Sequence, residues 1–143
     1  MHRFAVLICA RNEEAVIADL IRSIQAQDYP SELVRIFVAA DNCTDSTARI
    51  ARECDATVYE RQNKNLGGKG YAMDFLLRHI RCDFGPDAFD GFFVFDADNI
   101  LSVDYISRMN ETFSDGYGIV TSYRNSKNYG ANWVSAGYAL WFL

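Results

Sequence analysis

Histidine is nearly missing from this chain of 143 residues, which has only His2 and His79, and its four cysteines, Cys9, Cys43, Cys54 and Cys82, include no Cys-x-x-Cys pair. That scarcity argues against a zinc site and leaves little for a Ser/His nucleophilic centre. Scattered cysteines without a signal-peptide pattern fit a reducing compartment, where they serve as small core residues or inert thiols, so the cytoplasm is the expected location. Clustered Lys/Arg is absent too, and the formal net charge is -5. A nucleic-acid groove is therefore not expected, because phosphate-backbone binders carry a basic patch. No apolar run approaches the roughly 20 residues of a membrane-spanning helix, so a membrane would be reached only through further parts of a longer protein.

The common phosphate signatures are missing as well. After the first apolar run stands Arg11-Asn12-Glu13-Glu14 where a dinucleotide fold would carry Gly-x-Gly-x-x-Gly. Asn65-Leu66-Gly67-Gly68-Lys69-Gly70 is not a Walker loop, since Gly70 follows the lysine and the upstream glycine is lacking. No Gly-x-Ser-x-Gly elbow occurs.

What the chain does have is 50% hydrophobic residues, enough for a sizeable core in a single domain spanning residues 1–143. Phe4 to Ala10 reads as a buried strand. Asn12 is expected to cap a helix with Glu13 and Glu14 in its first turn and Val16, Ile17, Leu20, Ile21 and Ile24 on its apolar face. Arg35 to Ala40 predicts a second strand ending on Asp41-Asn42, followed by a helix to Cys54 capped by Thr44 or Asp45, and Ala56 to Glu60 a third strand. A polar glycine loop leads to a helix from Tyr71 to about Arg81. Phe92 to Phe95 predicts a fourth strand, Val103 to Phe113 a helix, and Ile119 to Ser122 a short further strand. Such alternation specifies an α/β fold with a mostly parallel sheet flanked by helices. The final segment, with Trp133, Tyr138 and Trp141 at roughly helical spacing, reads as core and stops in mid-pattern at Leu143, as in a chain incomplete at its C-terminus.

The fourth strand runs into Asp96-Ala97-Asp98-Asn99. Side chains two apart on a strand share a face, so Asp96 and Asp98 are expected to converge at the strand end, the edge where open α/β sheets bind ligands. Paired carboxylates suit Mg²⁺ or Mn²⁺ shared with substrate phosphates. Ala10 to Glu14 and Asp41-Asn42 would lie on the same edge. A rim of acids with a glycine loop and one lysine suits a nucleotide bridged by a cation.

In order, Ala10-Arg11-Asn12-Glu13-Glu14, Asp41-Asn42-Cys43-Thr44-Asp45, Asn65-Leu66-Gly67-Gly68-Lys69-Gly70 and Asp96-Ala97-Asp98 resemble glycosyltransferase family 2, enzymes of the GT-A (nucleotide-diphospho-sugar transferase) fold. The resemblance implies an inverting transfer of sugar from a nucleotide-sugar donor, usually UDP-linked, to an acceptor whose identity it does not supply. It implies that Ala10, Asn12 and Glu13 border the nucleoside, Asp41 bonds the base, Lys69 lies near the diphosphate, Asp98 ligates Mg²⁺ or Mn²⁺, and Asp96 faces ribose or metal. This chain has Ala40 where many relatives carry a first acid, and Asp74 where asparagine is usual. The family's general base lies well downstream of the metal acids, so it is expected beyond Leu143, and Asp104, Glu111 and Asp115 match no motif for it. The alternatives are a sugar-phosphate nucleotidyltransferase, which would be expected to place a glycine-rich basic loop after the first strand, and a non-catalytic nucleotide-sugar-binding module.

Overall fold

A computed structural model describes residues 1–122 of the chain. Its central element is β1 (Phe4–Ala10), seven residues of which only Cys9 is not fully buried. A strand this apolar needs cover on both faces, and parallel neighbours connected through helices provide it. β2 (Val34–Asp41) and β4 (Gly91–Asp96) flank β1, and β3 (Thr57–Arg61) pairs with β2. The resulting sheet is wholly parallel, in the order β3-β2-β1-β4.

The period of two sorts the side chains to the two faces. Ala5 and Leu7 of β1 with Phe37 and Ala39 of β2 form one face, packed under Ala72, Leu76 and Ile80 of α3 (Lys69–Phe84). On the other, Ile36 lines a cavity with Ile24 of α1 (Ile17–Gln25), whose Ile17, Leu20, Ile21 and Ile24 are buried at helical spacing. β4 alternates strictly: Phe93 and Phe95 are buried and pack edge-on against Tyr105 at the start of α4 (Tyr105–Ser114). Its Phe92 and Val94 stay about half exposed.

Three expectations change. α1 begins at Ile17 and not after Asn12, because Asn12 adopts a left-handed φ of 55° and its side chain is committed elsewhere, while the Glu13 carbonyl accepts the Val16 and Ile17 N–H groups that open the helix. α3 begins at Lys69, two residues earlier than the glycines suggested, so Lys69 belongs to a helix and not to the loop. Residues 119–122 form no strand: no ladder includes them among the described residues, and Ile119, 92% exposed, buries nothing that would stabilise one. Trp133, Tyr138 and Trp141 lie outside the described residues.

The chain divides into one compact unit, Met1–Asn110, which holds the whole sheet, and a second, Glu111–Leu143. No helix among the described residues is long and apolar enough to cross a membrane.

Candidate functional site

Because all four strands run the same way, Ala10, Asp41, Arg61 and Asp96 end on one edge of the sheet. The loop after β1 is stitched to the loop between β2 and α2 (Thr47–Glu53). Asn12 Oδ1 accepts the Thr44 N–H at 2.8 Å, and the Glu14 N–H reaches Asp45 Oδ2 at 3.2 Å while Glu14 Oε2 accepts the Ser46 N–H at 2.9 Å. Thr47, fully buried, accepts the Glu13 N–H at 2.8 Å and donates its hydroxyl to Asp45 Oδ1 at 2.6 Å. Asp45 also accepts the Thr47 N–H at 3.0 Å, satisfying an open donor of the first turn of α2 from two residues upstream. The Thr47 hydroxyl, followed by the backbone N–H groups of Thr47 and Glu14, holds the Asp45 carboxyl below its ordinary range.

Asp41 sits inside this rim, 5% exposed. Arg61 Nη1 donates to its Oδ1 at 2.6 Å, and Asn42 Nδ2 donates to the same oxygen at 3.1 Å. The second arm of the guanidinium, Nη2, donates to the Leu66 carbonyl at 2.5 Å, tying Asp41 to the glycine loop. Asn42, left-handed at φ 51°, exchanges bonds with the backbone of Asn63: its Nδ2 donates to the carbonyl at 3.1 Å and its Oδ1 accepts the N–H at 2.8 Å. The loop is therefore fixed at its β3 end by two polar anchors. Removing one partner from a buried pair such as Arg61 and Asp41 typically costs about 3–5 kcal/mol.

At the other end of the loop Gly68, at φ +121°, turns the chain into α3, and Lys69 Nζ meets Asp96 Oδ1. Asp96 is the last residue of β4, and the strand stops there because the Asn99 N–H folds back onto the Asp96 carbonyl at 3.0 Å while the Asp96 N–H meets Asn99 Oδ1 at 3.1 Å. Asp98 thus lies in a turn, exposed, and not on a strand face in phase with Asp96. The turn that follows Asp96 carries Asp98, and its Asn99 Nδ2 also donates to Asp98 Oδ1 at 3.3 Å.

Cys9, β-ladder partner of Asp96, has its thiol pushed up to about 11, first by burial and then, against the pull of Lys69, by the charges of Asp41 and Asp96. It is a protonated wall of the site and not a nucleophile. All four cysteines are free thiols.

Arg61, Thr47 and Asn99 were not singled out from the sequence. Only Arg61 left a signal, a cation at a strand end facing Asp41 in a parallel register; Thr47 and Asn99 read as ordinary helix-start and turn residues.

The model of the family described as Glycosyltransferase like family 2 matches residues 2–143. The chain belongs to glycosyltransferase family 2. Among its relatives, the β-monoglucosyldiacylglycerol synthase of Nostoc sp. (strain PCC 7120) is 36% identical over 78 residues, 51% of this chain and 17% of that protein. The sheet and helices superimpose on S. aureus TarS 1–349 in complex with UDP-GlcNAc with a TM-score of 0.64 at 19% identity, covering 88% of this chain and 41% of TarS. A mannosyltransferase from Pyrobaculum calidifontis in complex with GDP-Man and Mn²⁺ gives a TM-score of 0.61 at 23% identity, over 74% of this chain and 30% of that one. The expected GT-A architecture is thus the observed one. This family 2 chain spans about a fifth of the length of the curated relatives it matches.

Among the described residues no cluster of three or more His, Cys, Asp or Glu side chains could hold a metal ion. Asp96 and Asp98 in one turn supply oxygen donors from two residues only. That set fits a hard cation such as Mg²⁺ or Mn²⁺, which uses one or two protein carboxylates and completes its shell with phosphate and water.

Proposed function

We propose that the chain is the donor-binding portion of an inverting glycosyltransferase that takes its sugar from a nucleoside-diphosphate donor, UDP-linked by preference, with Mg²⁺ or Mn²⁺ at Asp98 and Asp96. The observation that carries this reading is the spacing of unlike charges along one sheet edge: buried Asp41 at the β2 end, and Lys69 with Asp96 at the β4 end. Asp41 accepts an N–H of the base, Ala10, Asn12 and Glu13 border the nucleoside, and Lys69 at the first turn of α3 faces the diphosphate. The helix start adds backbone N–H groups of the same sign as the lysine. Asp98 and Asp96 would hold that ion, which would supply positive charge against the diphosphate as it departs. The donors bound in the TarS and Pyrobaculum structures, UDP-GlcNAc and GDP-Man, support a nucleotide sugar, and the Mn²⁺ of the latter supports the cation.

In the transfer, the acceptor hydroxyl oxygen attacks the anomeric carbon, the bond to the diphosphate breaks, and a carboxylate takes the hydroxyl proton. We assign that base to a residue outside this chain. Asp104 is a poor candidate, because the Ser102 hydroxyl and the Arg108 guanidinium hold its carboxyl below the ordinary range.

Calorimetry of the chain with UDP, with and without Mn²⁺, tests the reading. UDP should bind more tightly with Mn²⁺ present, and Asp98→Ala should abolish that gain by at least about tenfold while leaving the metal-free affinity within twofold. Equal affinities for the wild type and Asp98→Ala in Mn²⁺ would sink the metal site.

A further inference from the structure

We propose that Arg61 is a positioning residue that sets the base preference of the nucleotide site by fixing which oxygen of Asp41 is left to meet the base. This rests on the reading of Asp41 as the base acceptor. Among the described residues both side-chain donors to Asp41, Arg61 Nη1 and Asn42 Nδ2, converge on Oδ1. The side chains of the pair are 8% and 7% exposed, so water cannot readily take over the role of either partner. Arg61 is itself immobilised: Nη2 is held on the Leu66 carbonyl, and its own carbonyl accepts the Asn42 N–H at 2.7 Å. A planar guanidinium fixed at both arms holds the carboxylate plane in one orientation.

That orientation matters because bases differ in what they present. Uracil and guanine offer a ring N–H on the pairing edge, whereas cytosine offers a ring acceptor there. A carboxylate oriented with Oδ2 outward receives the N–H and repels the acceptor, a discrimination that buried, pre-aimed polar groups enforce far better than mobile ones. A free Asp41 would rotate and relax it. The same guanidinium carries the loop that leads through Gly68 to Lys69, so base and diphosphate ends share one strut.

The test compares UDP with CDP, which share the diphosphate and differ at the base, by calorimetry on the chain in Mg²⁺. The wild type should prefer UDP. Arg61→Met should lower the UDP-to-CDP affinity ratio at least fivefold, and Arg61→Lys, which keeps the charge but loses the fork to Leu66, should lower it about threefold and retain a folded protein if Arg61→Met does not fold. A purely structural role would weaken both nucleotides alike and leave the ratio unmoved. If the ratio is unchanged in Arg61→Lys while Asp41→Asn alters it, the positioning role is wrong and the Asp41 reading stands. An unchanged ratio in Asp41→Asn removes both.

Discussion

At the residue scale, the two acids of the site depend on neighbours that are not acids. Asn99 accepts the Asp96 N–H and sends its own N–H back to the Asp96 carbonyl, so one side chain and one turn hold the backbone from which both carboxylates project. Removing the amide should cost only about 1 kcal/mol of folding stability, the worth of an ordinary partly buried hydrogen bond. The effect on the cation should be larger, because ligand orientation is lost together with the bond. Asn99→Ala is therefore expected to weaken Mn²⁺ binding in the presence of UDP about three- to tenfold, read by the paramagnetic resonance of free Mn²⁺, with a nearly unchanged melting curve. A loss of stability in proportion to the loss of metal binding would mean that Asn99 is a general fold contact and nothing more.

At the scale of the element, α3 joins the core to the site. Its Ala72, Leu76 and Ile80 seat it on β1 and β2, and this anchoring determines where Lys69 stands. The entry to the helix is Gly68, with φ +121° and ψ 155°, a region open to glycine alone. A Cβ there would meet nothing within 4 Å, so the cost of Gly68→Ala is one of backbone strain and not of collision. It should amount to about 1–3 kcal/mol, seen as a lower urea midpoint, with weaker UDP binding as Lys69 is displaced. Gly67 offers the control: it too has open space and no positive φ, so Gly67→Ala should be close to neutral. Equal destabilisation by both would remove the conformational argument. The strand ends were legible in the sequence because each is an apolar run halted by a charge, as at Ala10, Asp41 and Asp96. The start of α1 was not, because Asn12 carries the chemistry of a cap but spends its side chain on Thr44, a partner 32 residues away that local pattern cannot reveal. Asp98 was misplaced for the same kind of reason: a two-residue period holds only while the strand lasts, and the Asn99 turn ends it at Asp96, two residues short of Asp98.

Over the whole molecule, pH bears on stability from both sides. Asp90 accepts the Arg3 N–H at 2.7 Å, joining the beginning of β4 to that of β1, and this bond followed by the Arg3 charge holds its carboxyl below the ordinary 3.8. Asp45 and Asp104 are depressed likewise. A carboxyl lowered in the folded state contributes stability fully above its unfolded value and loses it as pH falls through the folded one, so the acid limb should fall below about pH 4. Tyr59 lies opposite. Burial, then its hydrogen bond to Asp83 at 2.5 Å, pushes its hydroxyl up to about 12 from 10.0. A group raised in the folded state contributes fully below its unfolded value, and that contribution fades as pH climbs from about 10 to about 12. The raised Cys9 thiol adds to this limb from about pH 9, so the urea midpoint should be nearly flat only between about pH 4 and about pH 9. Asp90→Asn, which keeps an acceptor for Arg3 but cannot titrate, should start from a lower plateau and fall less steeply in acid. Tyr59→Phe should make the alkaline limb shallower, leaving the part that Cys9 contributes, and leave the acid limb alone. Parallel profiles for either variant and the wild type, displaced but not reshaped, would show that these bonds stabilise the fold without linking it to protons.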